Sequence, residues 1–298
     1  MTTERDLPPP AEGELYVVVG PTASGKTELA LRLAERFGGE IVGADSVQVY
    51  RRFDLGSGKP TAAERARAPH HLVDVVDPLD PMDAGRWATL ADEVIADVRA
   101  RGRLPIVCGG TFLWIKALLR GIADAPRDEA IRARHNELAA AEGRARLHAD
   151  LARVDPVAAA RLAPNDLVRV SRALEVFELT GKPLSEWHAA HAFAEVRHQA
   201  RLVGVDRPRD ELDRRIEARV RGWLDAGWVD EVAALRRDFA GARALGSVGY
   251  KQVSEHLDGA LPLTELADSI VRATRVFVRR QRTWLRDEPV TWVNLGEF

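Results

Sequence analysis

The sequence predicts an α/β fold, a parallel β-sheet flanked by helices, interrupted by an all-helical insertion domain. Three observations predict it. Short apolar runs alternate with helical patterns through the first half, as in strands joined by crossover helices. A glycine-rich phosphate-binding signature stands between the first apolar run and the first helical pattern. From residue 125 to 199 no strand pattern occurs, and Ala, Arg and Glu dominate.

Taken in order, residues 1–13 are charged and then Pro-rich, and read as a disordered tail rather than a secretory signal. The α/β core is expected over 14–124 and 200–298, with the insertion at 125–199. Leu15 to Val19 forms a buried-strand run, and Lys26 to Phe37 a helix with Leu29, Ala30, Leu33 and Ala34 inward. Glu40 to Ala44 reads as a second strand and Leu72 to Val76, after His70 and His71, as a third. Asp83 caps a helix on which Trp87, Leu90, Val94 and Val98 recur. Leu104 to Cys108 is the fourth strand, and Thr111 to Arg120 returns as helix. In the insertion, Pro156, Pro164 and the Gly181–Pro183 break separate short helices. Asn165 or Asp166 caps the longest, which carries Val170, Leu174 and Phe177 on one face and ends at Gly181. Arg201 to Val205 rejoins the sheet, three helical patterns follow, and Val290 to Val293 closes as an edge strand.

Composition bounds the function. Over 298 residues, 46% hydrophobic and 30% charged exclude a disordered chain or a coiled-coil rod. No apolar run approaches the roughly 18 residues of a membrane span. The single cysteine, Cys108, excludes an intramolecular disulfide and a Cys-rich zinc site, and points to the cytoplasm. Only five of the 43 basic residues are lysines, so arginine abundance alone is weak evidence for nucleic acid. No helix shows an unexplained apolar face, so a monomer is expected.

The strongest local signal is Gly20-Pro21-Thr22-Ala23-Ser24-Gly25-Lys26-Thr27, which fits G-x-x-x-x-G-K-[ST]. At this composition, G-x-x-x-x-G-K arises by chance about 0.03 times per chain. The signature makes the core P-loop NTPase-like. Gly20, Thr22, Ala23, Ser24 and Gly25 would turn backbone N–H groups onto phosphate oxygens. Lys26 supplies a point charge, and the Thr27 hydroxyl can ligate Mg²⁺, so a nucleotide such as ATP or another di- or triphosphate is the expected ligand. An ATPase usually holds that metal with an Asp at a strand end. Here the strand ends in Cys108-Gly109-Gly110-Thr111, although Asp45, Asp74 and Asp77 each follow apolar residues. The residues therefore leave a kinase and a non-kinase transferase both open.

Further blocks carry a resemblance. Asp45-Ser46-Val47-Gln48-Val49-Tyr50 precedes Asp54-Leu55-Gly56-Ser57-Gly58-Lys59-Pro60, and Pro69-His70-His71-Leu72 precedes Gly109-Gly110-Thr111-Phe112-Leu113-Trp114. Pro164-Asn165-Asp166, Arg172-Ala173-Leu174-Glu175-Val176, Val248-Gly249-Tyr250-Lys251 and Arg280-Gln281-Arg282-Thr283-Trp284 follow in order. With the phosphate loop, these blocks resemble the tRNA dimethylallyltransferase (tRNA isopentenyltransferase) family along nearly the whole chain. The resemblance implies transfer of a dimethylallyl group from its pyrophosphate to the exocyclic amine of the adenosine beside the anticodon. By that likeness Asp45 is the general base and Thr111 hydrogen-bonds at the reacting centre. Ser46, Val47 and Gln48 would meet the flipped base and its neighbours, and Arg219 the pyrophosphate or the RNA. Without the family, an Asp placed as Asp45 is more often a helix cap or turn residue, and Thr111 could merely cap the helix that follows it. Val47 stands where the family commonly has Arg, and Phe112 and Trp114 stand for Gly and Tyr. The zinc finger of eukaryotic members has no counterpart, which implies the bacterial form.

Arg272, Arg275, Arg279, Arg282 and Arg286 recur at spacings of three and four on one helical face, with Val271, Val278 and Leu285 on another. Such a stripe suits an RNA backbone or a solvated face paired with acids from elsewhere. The resemblance favours the anticodon stem-loop, with Arg169 and Arg172 of the insertion as further RNA-facing groups. His70 and His71 read as structural or as turn residues near the ligand. His188, His191 and His198 lack a Cys or acidic partner for a metal site. Trp87 and Trp223 read as core. An adenylate- or shikimate-type kinase needs no arginine stripe. A GTPase-like RNA-binding module would be expected to carry N-K-x-D, which is absent.

Overall fold

The computed structural model describes residues 3–295. It divides into two compact units, residues 1–119 with 197–298 and residues 120–196.

The first unit is built on six parallel strands in the order β3-β2-β4-β1-β5-β6. These are β1 (Leu15–Val19), β2 (Gly39–Gly43), β3 (His70–His71), β4 (Leu104–Cys108), β5 (Ala200–Val205) and β6 (Thr291–Val293). β1 and β2 are buried throughout, which is why they read as continuous rather than alternating apolar runs. Helix α1 (Lys26–Phe37) packs Leu29, Leu33 and Ala34 against Tyr16, Val18, Ile41, Ile106 and Val203. After α2 (Ala62–Arg67), Asp83 Oδ1 accepts from Gly85 N and Arg86 N, capping α3 (Ala84–Ala100). Trp87 of α3 stacks at 5.4 Å on Trp114 of α4 (Phe112–Arg120), and its indole N–H donates to Gly43 O.

Three readings are corrected here. Residues 72–76 are not a strand: Leu72 and Asp74 take φ of 56° and 64°, which breaks the pleat. Their amides turn to the preceding loop instead, Asp74 N to Gln48 O and Val75 N to Val49 O. The expected tail is also ordered from residue 3 onward. Leu7 is buried in the core, the Tyr16 hydroxyl donates to Pro8 O, and Thr3 pairs with Asn294. Residues 1–2 of that tail and 296–298 of the expected core lie outside the described residues. Finally, four α-helices rather than three follow β5: α10 (Arg209–Asp225), α11 (Trp228–Asp238), α12 (Tyr250–Leu257) and α13 (Leu263–Leu285). Trp228 is the fully buried ring among them, whereas Trp223 stays half-exposed.

The second unit is all helical: α5 (Glu129–Glu142), α6 (Arg144–Val154), α7 (Pro156–Arg161), α8 (Leu167–Thr180) and α9 (Leu184–His191). Leu147, Leu151, Val170, Ala173 and Leu174 form its core. Asp166 caps α8 through Arg169 N, and Gly181 ends it in the left-handed conformation. Asp155 is fully buried and ties α7 to α9 by accepting from Ala158 N and Ser185 N.

Glu175 is the charged centre of this unit. It is fully buried and accepts from Asp128 N, while Arg132 and Arg172 pair with it at 3.0 and 2.6 Å. Burial opposes its ionisation, yet the bonds from Arg172, Asp128 N and Arg132 hold its carboxyl below the usual range. That stability is complete above the unfolded carboxylate pKa and fades as pH falls through the lowered one. Glu175→Ala is expected to cost about 3 kcal/mol, the low end for a broken buried pair because both arginines are partly exposed. Thermal unfolding of the full chain checks it; an unchanged midpoint would refute the ledger.

Candidate active site

The strand order sets β2, β4 and β1 side by side, so the loops leaving their carboxyl ends converge. From β1 comes the phosphate loop, from β4 the Gly109–Thr111 turn, and from β2 the Asp45 turn.

The phosphate loop is tightly wound. Gly20 has φ 150°, and a Cβ there would lie 2.9 Å from Ser24 Oγ. Ala23 and Gly25 follow at φ 64° and 103°, and Lys26 opens α1. Arginines hold the loop from outside: Arg207 Nε donates to Ser24 O at 2.7 Å and Arg215 Nε to Ala23 O at 2.9 Å. With those carbonyls tied, the first-turn N–H groups of α1, which lack intrahelical acceptors, are left for an anion. Ser24 Oγ is buried with no hydrogen-bond partner among the described residues, a polar atom that a bound anion would satisfy. Arg219 Nη1 lies 3.5 Å from Thr22 Oγ1, and its guanidinium stands 5.1 Å over the Trp223 ring. Burial pushes the Lys26 ammonium down, against the opposing pull of Cys108 and Asp45. The Arg219 guanidinium is lowered in the same way, by burial first and then by Arg215.

The Gly-Gly-Thr turn has no room for larger residues. A Cβ on Gly109 would fall 2.0 Å from Ala44 O, and one on Gly110 2.6 Å from Gln281 Nε2. Thr111 N donates to Ala44 O, and Thr111 Oγ1 accepts from Ser46 N at 3.0 Å and lies 3.2 Å from Ser46 Oγ. Asp45 Oδ1 accepts from Val47 N and Gln48 N at 2.9 and 3.2 Å. This is the turn role its position allows without any family. It leaves Oδ2 without a protein donor in the described contacts, so one carboxylate oxygen stays available on the turn that Ser46 ties to Thr111.

Several sequence candidates fall elsewhere. The Gln48 amide donates to Ser57 O and Gly58 O, so its nitrogen supports the adjoining turn rather than standing free for a base. Val47 is half-buried, with its N–H spent on Asp45. Arg172 donates to Ala125 O, Pro126 O and Glu175, contacts that hold the helical unit together. Arg169 is exposed beside Asp166. On α13, Arg275 pairs with Asp213, Arg282 donates to Arg207 O and Arg286 meets Asp287. Arg272 and Arg279, with Arg280, are exposed and form no ion pair among the described residues. His71 lies 2.7 Å from Glu40 and His70 2.8 Å from Ala68 O, both structural contacts.

Sequence reading missed Arg207 and Gln281. Arg207, alone after the β5 strand and outside any helical pattern, gave no signal. Gln281 did: it lies three residues from Val278 and four from Leu285, on the buried stripe of α13. A cavity of about 570 Å³ opens beside Pro21 and Ser24 behind the loop, lined by Arg207, Arg209, Arg282 and Trp292. Lys26, Asp45 and Thr111 do not line it.

The family model described as IPP transferase matches residues 48–288, and that described as Isopentenyl transferase matches residues 13–71. The chain belongs to the tRNA dimethylallyltransferase family. A protein named tRNA dimethylallyltransferase from Sorangium cellulosum is 69% identical over 97% of this chain and 93% of its own. One from Anaeromyxobacter dehalogenans (strain 2CP-C) is 54% identical over 94% of each. The crystal structure of the Bacillus halodurans tRNA isopentenylpyrophosphate transferase superposes with a TM-score of 0.69 at 36% identity, covering 95% of this chain and 90% of that one. A eukaryotic dimethylallyltransferase described as acting on tRNA gives 0.68 at 27% identity, covering 91% and 69%. In this tRNA dimethylallyltransferase family member the core is P-loop NTPase-like, a single parallel six-stranded sheet flanked by helices as in the solved relatives. The kinase and GTPase-like readings fall away, and the chain is an enzyme of the transferase class.

Proposed function

We propose that this chain transfers the dimethylallyl group of dimethylallyl pyrophosphate to the exocyclic amine of the adenosine 3′-adjacent to the anticodon of a tRNA. One observation carries the reading: the Thr111–Ser46 contact fastens the Asp45 turn to the Gly-Gly-Thr turn, next to the loop that holds Lys26. An acceptor-orienting carboxylate and a leaving-group cradle are thereby neighbours.

The bond from the allylic C1 to the ester oxygen of the first phosphate breaks, its electron pair leaving with pyrophosphate. The adenine nitrogen forms the new bond to C1, and Asp45 Oδ2 receives the proton that nitrogen sheds. Thr111 orients the acceptor. Lys26, Arg219 and the α1 N–H groups meet the charge that grows on the leaving group. Extruding the target base is cheapest in an unpaired loop.

Thr27, with a hydroxyl oxygen in the first turn of α1, would hold a Mg²⁺, an ion that uses few protein ligands. Among the described residues no cluster of three or more His, Cys, Asp or Glu offers an independent metal cage. Bound there, the ion would neutralise phosphate charge. Arg272, Arg279 and Arg280, exposed on α13, are proposed to meet tRNA phosphates.

The test is a transfer assay with radiolabelled dimethylallyl pyrophosphate, Mg²⁺ and unmodified tRNA, run with and without ATP. Label is expected in the tRNA irrespective of ATP. Label that stays with the small molecule would overturn the reading.

A further inference from the structure

Gln281 is nearly buried, 7% exposed, on the inward stripe of a helix whose outer faces carry arginines. A polar side chain there costs free energy unless both ends of its amide find partners. They do, on two different loops. Gln281 Oε1 accepts from Thr22 N at 2.9 Å, inside the phosphate loop. Gln281 Nε2 donates to Gly110 O at 3.1 Å, one residue before Thr111. The contact is close: a single added carbon at Gly110 would stand 2.6 Å from Nε2 and 3.7 Å from Lys26 Nζ. No side chain between the two loops is described as making a second such bridge.

We propose that Gln281 is a positioning residue that fixes the spacing between the leaving-group cradle and the acceptor-orienting Thr111. This rests on the transfer reading above. Two consequences follow from the chemistry of the amide. First, Thr22 N is withheld from phosphate, because its hydrogen is already donated to Gln281; the loop offers pyrophosphate the amides further along, towards Lys26. Second, the two loops move as one body only while the amide both accepts and donates. A carboxylate could accept from Thr22 N but would repel Gly110 O. A protonated carboxylic acid could do both.

The geometry therefore predicts a rate effect rather than a binding effect, since misplacement of reacting groups by about 1 Å costs on the order of 10²-fold. Gln281→Met, similar in length and unable to bridge, should lower kcat roughly 10- to 100-fold, with KM for both substrates within about 3-fold. Gln281→Glu should show a pH profile that packing alone would not produce. Its kcat relative to wild type should rise as pH falls from about 8 to about 6, as the acid form recovers the donation to Gly110 O.

The experiment is steady-state transfer kinetics of wild type, Gln281→Met and Gln281→Glu across that pH range. It is accompanied by thermal unfolding and by the amide NMR signal of Thr22 in each chain. The expected result is a loss confined to kcat, a pH-dependent ratio for the Glu variant, and a displaced Thr22 amide signal. A loss confined to KM, or a pH-independent ratio, would overturn the positioning role. If Gln281→Met unfolds, the Glu ratio and its Thr22 signal decide alone. Should wild type transfer no allyl group, the transfer reading fails instead, while an unmoved Thr22 amide in both variants would refute the bridge independently.

Discussion

Asp45→Asn is expected to leave dimethylallyl pyrophosphate binding within about 3-fold and to lower kcat by about 10²- to 10⁴-fold, the range of a lost general base. Asparagine is the informative change. Its Oδ1 can still accept from Val47 N and Gln48 N, so the turn that Asp45 builds is kept. What disappears is the basic oxygen that Asp45 leaves without a protein donor. That range corresponds to about 3–5.5 kcal/mol of transition-state free energy, far more than a turn contact supplies. Single-turnover rates with pre-bound tRNA separate chemistry from product release. An unchanged rate would remove Asp45 from proton transfer, and a lost affinity with intact residual chemistry would place it on the leaving-group side.

Lys26→Met is expected to cost about 10²- to 10³-fold in kcat and to weaken pyrophosphate binding, because the charge it supplies meets one that grows as the C–O bond breaks. The same residue predicts a pH dependence. In the ligand-free chain, burial holds its ammonium below the ordinary lysine range. A pyrophosphate oxygen alongside favours the charged form, so binding raises that pKa and draws in a proton. Affinity should then be greatest below the depressed value and fall as pH rises through it, levelling off above the bound value. Calorimetry in buffers of different ionisation enthalpy reads the proton uptake directly. Uptake that persists in Lys26→Met would assign it to another group.

The parts of this molecule legible in its sequence are those decided locally. Lys26–Phe37 was readable as a helix to the residue, because a glycine closes each end and Leu29, Ala30, Leu33 and Ala34 recur on one face. The Asp83 and Asp166 caps were readable for the same reason, as side chains answering the amides next to them. Residues 72–76 misled because apolar content does not reveal a positive φ at Leu72 and Asp74. The pairing of Arg172 with Glu175 was not readable, because that carboxylate is buried only once the helical unit has folded. The arginine periodicity on α13 was real, but Asp213, Asp287 and the Arg207 carbonyl claim three of its members from outside the pattern. Arg207 and Gln281 act across more than 170 residues of chain, on Ser24, Thr22 and Gly110, and no spacing rule reaches that far.

Cys108 closes β4 directly behind the phosphate loop, its thiol 3.7 Å from Lys26 O and pushed up to about 12 by burial. The allyl transfer proposed above would place a carbon electrophile next to the protein's own side chains. Sulfur is the softest nucleophile a chain can offer, and only the thiolate attacks. Burial therefore keeps this thiol protonated at neutral pH. If allyl transfer proceeds as proposed, the only thiol in the sequence, two residues before Gly110, would meet that electrophile in its protonated, least reactive form.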